Sequence, residues 1–281
     1  RAQAVVLVVI EALLRPHAPR GRAAWDGWFF IAIFPDGEWC KIHLFSGGKS
    51  PEKHCLSALE GLDGAPQELA LVGRASEVER RGGALDALDG ARGREVVFER
   101  DRVHARGLDA RVDARDPFFW IKAPRVLSYF SATGDARVAV DGTSRDGFGL
   151  LEHAWGAETR LDVARLAPRS WRWDVVWLGG DRFFAGLAIH GLGVRGAARV
   201  APQGGLANVN SVHIRGGPTT WSGVMRTRRA TLRYDARAAT PVSPEVDGGG
   251  FVGFTWEGDL EGRRVSGAGF SEFVLNHRSH A

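Results

Sequence analysis

Several residue types are scarce in this chain of 281 residues, which has two cysteines, one methionine (Met225), two tyrosines, and lysine only at Lys41, Lys49, Lys53 and Lys122. Cys40 and Cys55 are too few for a disulfide framework, and their spacing matches no zinc pattern. They read as two buried thiols, with a single bridge as the alternative. His43 and His54 lie near them, but alternation along a strand turns Cys40 and His43 to opposite faces, so no metal is expected. No apolar run reaches the ~18–20 residues a membrane-spanning helix needs. The run Ala4–Ile10 has the length of a signal-peptide core, yet Glu11 interrupts it and no clean cleavage site follows. The chain opens on Arg1, and localisation is left open between the cytoplasm and the periphery of a membrane. There is no P-loop and no G-x-S-x-G nucleophile elbow. Gly191-Leu192-Gly193-Val194-Arg195-Gly196 spells G-x-G-x-x-G, but in a β-rich context without the strand-then-helix setting of a dinucleotide fold.

Removing the four lysines from 37 basic residues leaves 33 arginines, against 33 acidic residues and a net charge of +4. The signs interleave, as in Glu99-Arg100-Asp101-Arg102 and Arg111-Val112-Asp113-Ala114-Arg115. A nucleic-acid surface concentrates positive charge on one side, so this mixture reads as solvated strand faces and no nucleic-acid partner is expected. The 44% apolar content is that of a globular protein.

What is abundant is Gly (37), Phe (15) and Trp (10), set in a period of two. Leu108 to Arg115 carries an apolar residue at every second position, as a half-buried strand requires, and similar runs occur at Val138 and Val140, at Leu232 and Tyr234, and from Phe251 to Trp256. Turn signals recur at Pro35-Asp36-Gly37, Ser46-Gly47-Gly48, Asp141-Gly142, Gly179-Gly180-Asp181 and Gly248-Gly249-Gly250. Many short strands between such turns predict an all-β barrel or sandwich. Helical patterning is confined to short candidates at Ala4 to Leu14, Ser57 to Leu62, Ser76 to Leu88 and Leu161 to Leu166.

Two Trp-rich hairpins repeat about half a chain apart. Trp28 to Phe34 leads through Asp36-Gly37 to a strand from Trp39, and Trp173 to Leu178 leads through Gly179-Gly180-Asp181 to a strand from Phe183. The match sets Trp28 against Trp173, 145 residues on, and predicts two related β-domains, 1–145 and 146–281, joined in the glycine-rich stretch Asp141 to Gly149.

The segment Gly147-Phe148-Gly149-Leu150-Leu151-Glu152-His153-Ala154-Trp155-Gly156 resembles a signature of double-lipocalin proteins, the AttH-like proteins and carotenoid 1,2-hydratases with their tocopherol-cyclase-like and Diels–Alderase relatives. Trp28-Phe29-Phe30 before Asp36-Gly37 resembles the opening hairpin of that family. Tyr129-Phe130-Ser131 resembles its approach to the signature, and Gly267 to Glu272 its closing strand. The resemblance covers residues 25–275 and implies two tandem lipocalin-like (calycin) β-barrel or β-sandwich domains with an apolar cleft. The hydratases are expected to carry a further Tyr and Asp downstream. Here that stretch holds Asp174 and Asp181 but no Tyr, since Tyr234 comes much later.

On a strand through the signature, Leu151, His153 and Trp155 share one face, and Phe148, Leu150, Glu152 and Ala154 the other. His153 can donate a proton or orient a carbonyl beside the indole of Trp155; equally it can make a buried hydrogen bond while Trp155 packs. Glu152 is a general acid if its face is apolar, or the partner of an arginine such as Arg145 or Arg160. Glu272, beside Phe270 and Val274, carries the same two readings. Trp171, Trp173 and Trp177 fall on one face of the next strand and either wall a ligand site or fill the core, while Asp174 and Asp181 read as structural.

The expected function is therefore a cofactor-independent enzyme acting on a hydrophobic isoprenoid or polyketide-like molecule by hydration, cyclisation or cycloaddition. His153 and Glu152 would be catalytic, with Trp155, Trp171, Trp173, Trp177 and Glu272 around the substrate. The alternatives are a non-catalytic carrier of a hydrophobic ligand and a module without a ligand. The expected partner is that small molecule; membrane contact and oligomeric state are left open.

Overall fold

The structure, a computed structural model, describes residues 25–47, 75–81, 84–89, 93–99, 102–105, 108–123, 127–140, 143–156, 171–189, 195–244 and 249–274. The chain divides into two compact units, Arg1–Ala32 with Cys40–Arg160, and Ile33–Trp39 with Leu161–Ala281. Among the described residues every regular element is a strand. The sheet that begins in the first unit contains β1 (Trp25–Ile33), β2 (Trp39–Gly47), β3 (Ala75–Arg81), β4 (Ala84–Asp89), β5 (Gly93–Glu99), β6 (Arg102–Ala105), β7 (Leu108–Val112), β8 (Arg115–Ala123), β9 (Leu127–Val140) and β10 (Thr143–Gly156). Its order is β2-β1-β10-β9-β7-β6-β5-β4-β3, with β8 also pairing with β9. The second contains β11 (Trp171–Trp177), β12 (Phe183–Ile189), β13 (Arg195–Arg199), β14 (Ala207–Val209), β15 (Ser211–Gly216), β16 (Thr220–Arg226), β17 (Thr231–Ala238), β18 (Ser243–Pro244), β19 (Gly249–Leu260) and β20 (Arg263–Val274). Its order is β14-β13-β12-β11-β20-β19-β17-β16-β15, with β18 pairing with β19.

These orders are one topology written twice: β12-β11-β20-β19-β17-β16-β15 repeats β2-β1-β10-β9-β7-β6-β5, and β18 on β19 repeats β8 on β9. The tandem lipocalin-like architecture follows. Both opening hairpins turn alike, with Phe34 N–H donating to the Glu38 carbonyl (2.9 Å) and Leu178 N–H to that of Arg182 (3.0 Å). The first is a three-residue turn in which Pro35 supplies a fixed φ and Gly37 takes φ +85°, a left-handed position suited to glycine. These turns align Phe34 with Leu178, 144 residues on, one fewer than the tryptophan match suggests. A shift of one residue exchanges the faces of a strand, so Trp28 corresponds to Arg172 and Phe29 to Trp173.

Two sequence expectations change. Ser76 to Leu88 is not a helix but part of the hairpin β3–β4, in which Arg81 pairs with Ala84. The two residues between them are Gly82-Gly83, a pair that breaks helices and suits a two-residue hairpin. The other helix candidates lie outside the described residues. The domain joint falls later than residue 145, because Thr143–Gly156 pairs with β9 along its whole length and the first unit runs on to Arg160.

Alternation decides burial as expected where one face meets water. From Asp109 to Ala114 exposed and buried residues alternate strictly. In the second unit the curled sheet encloses Val176, Phe184, Trp221, Met225, Leu232, Tyr234, Phe254 and Trp256, all buried. The opposite face is also covered around Phe251, Phe270 and the hairpin residue Trp39. The Trp39 ring lies 5.0 Å from Phe270 and 6.2 Å from Phe251, and its Nε1–H donates to Thr240 Oγ1 at 3.1 Å. Burying an indole this fully is a major contribution to the unit, so Trp39→Ala is expected to lower the unfolding free energy by about 3–5 kcal/mol in urea titrations. Thr240→Val, which removes one hydrogen bond, is expected to cost only about 1 kcal/mol.

Candidate functional site

The signature strand β10 is buried on both faces from Phe148 to Ala154. On one face the His153 imidazole, fully buried, stacks on Trp28 with ring centroids 4.9 Å apart and planes 10° apart. Trp155 lies 4.7 Å away and Phe130 meets the ring edge-on at 6.0 Å. The pairing of His153 with Phe130 in the β9–β10 ladder brings the latter alongside. The aromatic environment expected for His153 is present, with Trp28 and Phe130 added to Trp155.

On the other face, the fully buried Glu152 accepts a hydrogen bond from the Tyr129 hydroxyl at 2.6 Å and a short one from Ser131 Oγ. Arg145, one of the arginines suggested as its partner, is an odd-numbered residue of β10 and faces the other way; Arg160 lies outside the described residues. A buried carboxylate needs hydrogen bonds to replace its water, and here two hydroxyls supply them. Tyr129 sits 6.3 Å from the Phe29 ring, and the Lys41 ammonium lies over that ring, 5.3 Å from its centre. Lys41 is 2% exposed, whereas Phe29 and Tyr129 are half-buried. Across β2, β1, β10 and β9 this face thus carries a cation, a carboxylate and two hydroxyls, bordered by two aromatic rings that reach solvent.

In the second unit the expected tryptophan row is present on one face of β11. Trp173 is buried edge-on against Phe270 (5.9 Å), Trp177 Nε1–H holds the hairpin turn through the Gly180 carbonyl (2.8 Å), and Trp171 is half-buried. Glu272 pairs with Trp173 on one side and Phe251 on the other, so its half-buried side chain shares their face. Glu152 and Glu272 occupy equivalent positions. Each stands nine residues after the residue that opens the last strand of its unit, Thr143 or Arg263, both next to a hairpin turn. Glu152 and His153 belong to the first unit; the tryptophan row and Glu272 belong to the second.

Asp174 faces the other way, into the interior of the second unit, and is fully buried. One oxygen accepts from Ser271 Oγ (2.6 Å) and Arg172 Nε (3.1 Å); the other accepts from the Tyr234 hydroxyl (2.6 Å) and Trp221 Nε1 (2.8 Å). The Arg172 guanidinium lies 3.7 Å above the Trp221 ring and 5.0 Å from Phe273, and Nη1 donates to the Gly217 carbonyl at 2.9 Å. With four donors around it, Asp174 organises its neighbours and has little capacity left for a substrate. The tyrosine that sequence order set far from Asp174 reaches it through the β11–β20–β19–β17 ladders. Asp181 lies 3.6 Å from Arg199 and accepts from the Gln203 N–H, a role within the turn. On the exposed face, a groove of about 790 Å³ lined by Arg215, Ser222, Asp235, Arg237 and Glu257 is open and polar. Among the described residues no group of His, Cys, Asp and Glu could hold a metal, and no helix is long and apolar enough to cross a membrane. The Cys40 thiol is buried and free, with its ionisation pushed up by burial.

Solved structures share this geometry. The structure of CghA with Sch210972 matches with a TM-score of 0.59 and 17% identity, over 92% of this chain and 90% of that chain. CghA without that ligand in its description matches at 0.58 and 15%. A putative AttH from Nitrosomonas europaea matches at 0.50 and 15%, over 93% of this chain and 98% of that one. The chain has their fold. The resemblance read in the motifs is met at that level, while no family model and no curated protein sequence matches.

Sequence reasoning missed Lys41, Tyr129, Ser131, Arg172 and Tyr234 as site residues, although composition held a signal for three of them. Only two tyrosines and four lysines occur. Both tyrosines hydrogen-bond a buried carboxylate, and one lysine is buried in an otherwise Arg-dominated chain.

Burial, together with the charge of Asp174, raises the ionisation of Tyr234 well above the ordinary 10.0. The folded state therefore keeps the phenol protonated where the unfolded chain releases the proton. The stabilisation is complete below about pH 10 and declines as pH rises beyond it. Urea unfolding of the wild type is expected to weaken above that pH more steeply than Tyr234→Phe, by about 1.4 kcal/mol per pH unit. Asp174→Ala, which leaves Arg172 buried without its counter-charge, is expected to cost about 3–5 kcal/mol in the same measurement.

Proposed function

We propose that this protein is a cofactor-independent enzyme acting on a hydrophobic isoprenoid or polyketide-like molecule, by hydration, cyclisation or cycloaddition. The observation that carries the reading is the buried Glu152 carboxyl joined to the half-exposed Tyr129 hydroxyl at 2.6 Å on an apolar strand. Such a pair gives up and recovers one proton. In hydration the proton goes to one alkene carbon and the oxygen of water to the other, and water's second proton returns to the pair. In cyclisation the proton is lent and recovered in the same way. Cycloaddition needs no proton and relies on holding a flexible chain in a reactive fold. His153, with Trp28, Phe130 and Trp155, fixes the other face of the same strand and is the second proposed catalytic group. Trp171, Trp173, Trp177 and Glu272 are proposed to contact substrate. That CghA was crystallised with the small molecule Sch210972 supports a ligand-binding role for the shared fold.

The second reading, a carrier, is favoured by the tight aromatic packing around His153. An apolar extract of cells incubated with wild type, Glu152→Gln and His153→Gln separates the two. The enzyme reading expects wild type to deplete one compound and form a product of equal mass or one water heavier, with at least about a hundred-fold slower conversion in Glu152→Gln. A compound that all three proteins retain equally and leave unchanged overturns the enzyme in favour of the carrier.

A further inference from the structure

We propose that Lys41 makes this site selective for a ligand with a carbonyl or enolate oxygen, within an otherwise apolar molecule. The inference rests on the reading above that the Glu152–Tyr129 face receives a hydrophobic substrate, and it chooses among the substrates that reading leaves open. A hydrocarbon polyene has nothing to offer an ammonium ion, and burying a cation costs several kcal/mol unless it is solvated by the protein or its ligand. Nevertheless Lys41 is held at 2% exposure, over the face of Phe29. The contacts from Phe29 to Tyr129, and from Tyr129 to Glu152, put a hydrogen-bond donor of fixed positive charge on the same face as the proton-exchanging pair. Phe29 and Tyr129, the two half-buried rings, form the apolar approach between them.

The chemistry is complementary. An ammonium ion beside a phenol donates to a carbonyl oxygen and is strongest when that oxygen gains negative charge, as in an enolate or a polarised enone. A cation–π contact to Phe29 leaves the other ammonium hydrogens for oxygen acceptors. Elsewhere among the buried charges the chain uses arginine, at Arg172 and Arg199, each with acceptors within its own unit. Lysine suits this position because its compact charge sits on a flexible stem that can follow a ligand oxygen, whereas a guanidinium demands a planar, two-pronged partner.

The test uses the full chain and two probes matched in length, hexadecane-2,4-dione and hexadecane, with affinity followed by tryptophan fluorescence. Wild type is expected to bind the dione at least about ten-fold more tightly than the alkane, as for one charge-assisted hydrogen bond. The enolate absorption band of the bound dione should be enhanced relative to free dione at the same pH. Lys41→Met is expected to abolish both the preference and the enhanced band while leaving alkane affinity within two-fold (~0.4 kcal/mol). Lys41→Arg, which keeps the charge, should retain part of the band. Equal binding of both probes by wild type, or a dione preference that survives in Lys41→Met, overturns the role of Lys41 without touching the proposed enzyme. Should Lys41→Met fail to fold, the wild-type preference and band decide the matter alone. Conversion of an apolar compound that depends on Glu152, without any preference for the dione, leaves the enzyme standing and this inference refuted. Binding of neither probe, with no conversion of any compound, removes both.

Discussion

A carboxylate in an apolar interior must have its lost water replaced, and in this protein hydroxyl groups take a leading part in doing so. Both tyrosines of the chain are committed to that task, Tyr129 to Glu152 and Tyr234 to Asp174, each at 2.6 Å, and a serine assists in each case. Much of the local structure follows from that need. Tyr129 and Ser131 must leave β9 on the same side as Glu152, which fixes the β9–β10 register. Tyr234 must cross the interior of its unit, lying over Gly223, where any side chain would collide with its ring. The two carboxylates differ in what remains available. Asp174 is enclosed by four donors within one core, whereas the Glu152 cluster opens through half-buried rings and includes a buried ammonium ion on the same face.

The duplicated topology explains how one architecture holds both clusters. Each unit places its closing strand between its opening hairpin and the long strand before it, so three strands converge on the same few residues. Glu152 and Glu272 stand at the equivalent point of that convergence, and the units then diverge: hydroxyls surround the first, and Trp173 and Phe251 flank the second. Interior groups diverge as well. Trp28, stacked on His153, corresponds to Arg172, which pairs with Asp174.

Much of the fold was legible because alternation is a local signal. Asp109 to Ala114, the glycine turns and the two tryptophan hairpins all declare their state within a few residues. The stretch from Ser76 to Leu88 misled because its charges and leucines also fit a helical spacing, and only the central Gly82-Gly83 marks the turn. The site was legible in part. Motif resemblance singled out Glu152, His153 and Trp155, but their partners come from strands distant in sequence, and a ladder register cannot be read from composition. Tyr234 is 60 residues from Asp174, and Lys41 more than a hundred from Glu152. Even so, the rarity of tyrosine and lysine in an arginine-rich chain was a usable clue, since a residue type kept at so few positions tends to be there for its own chemistry.

With only two tyrosines, the protein allows a direct observation of which carboxylate faces a ligand. Labelling tyrosine with carbon-13 at the phenolic carbon gives two NMR signals, assigned by Tyr129→Phe and Tyr234→Phe, that can be followed while an apolar dione is titrated in. The account predicts that the Tyr129 signal moves with saturation while the Tyr234 signal stays in place. Saturable binding that moves Tyr234 alone, or moves neither, would contradict it.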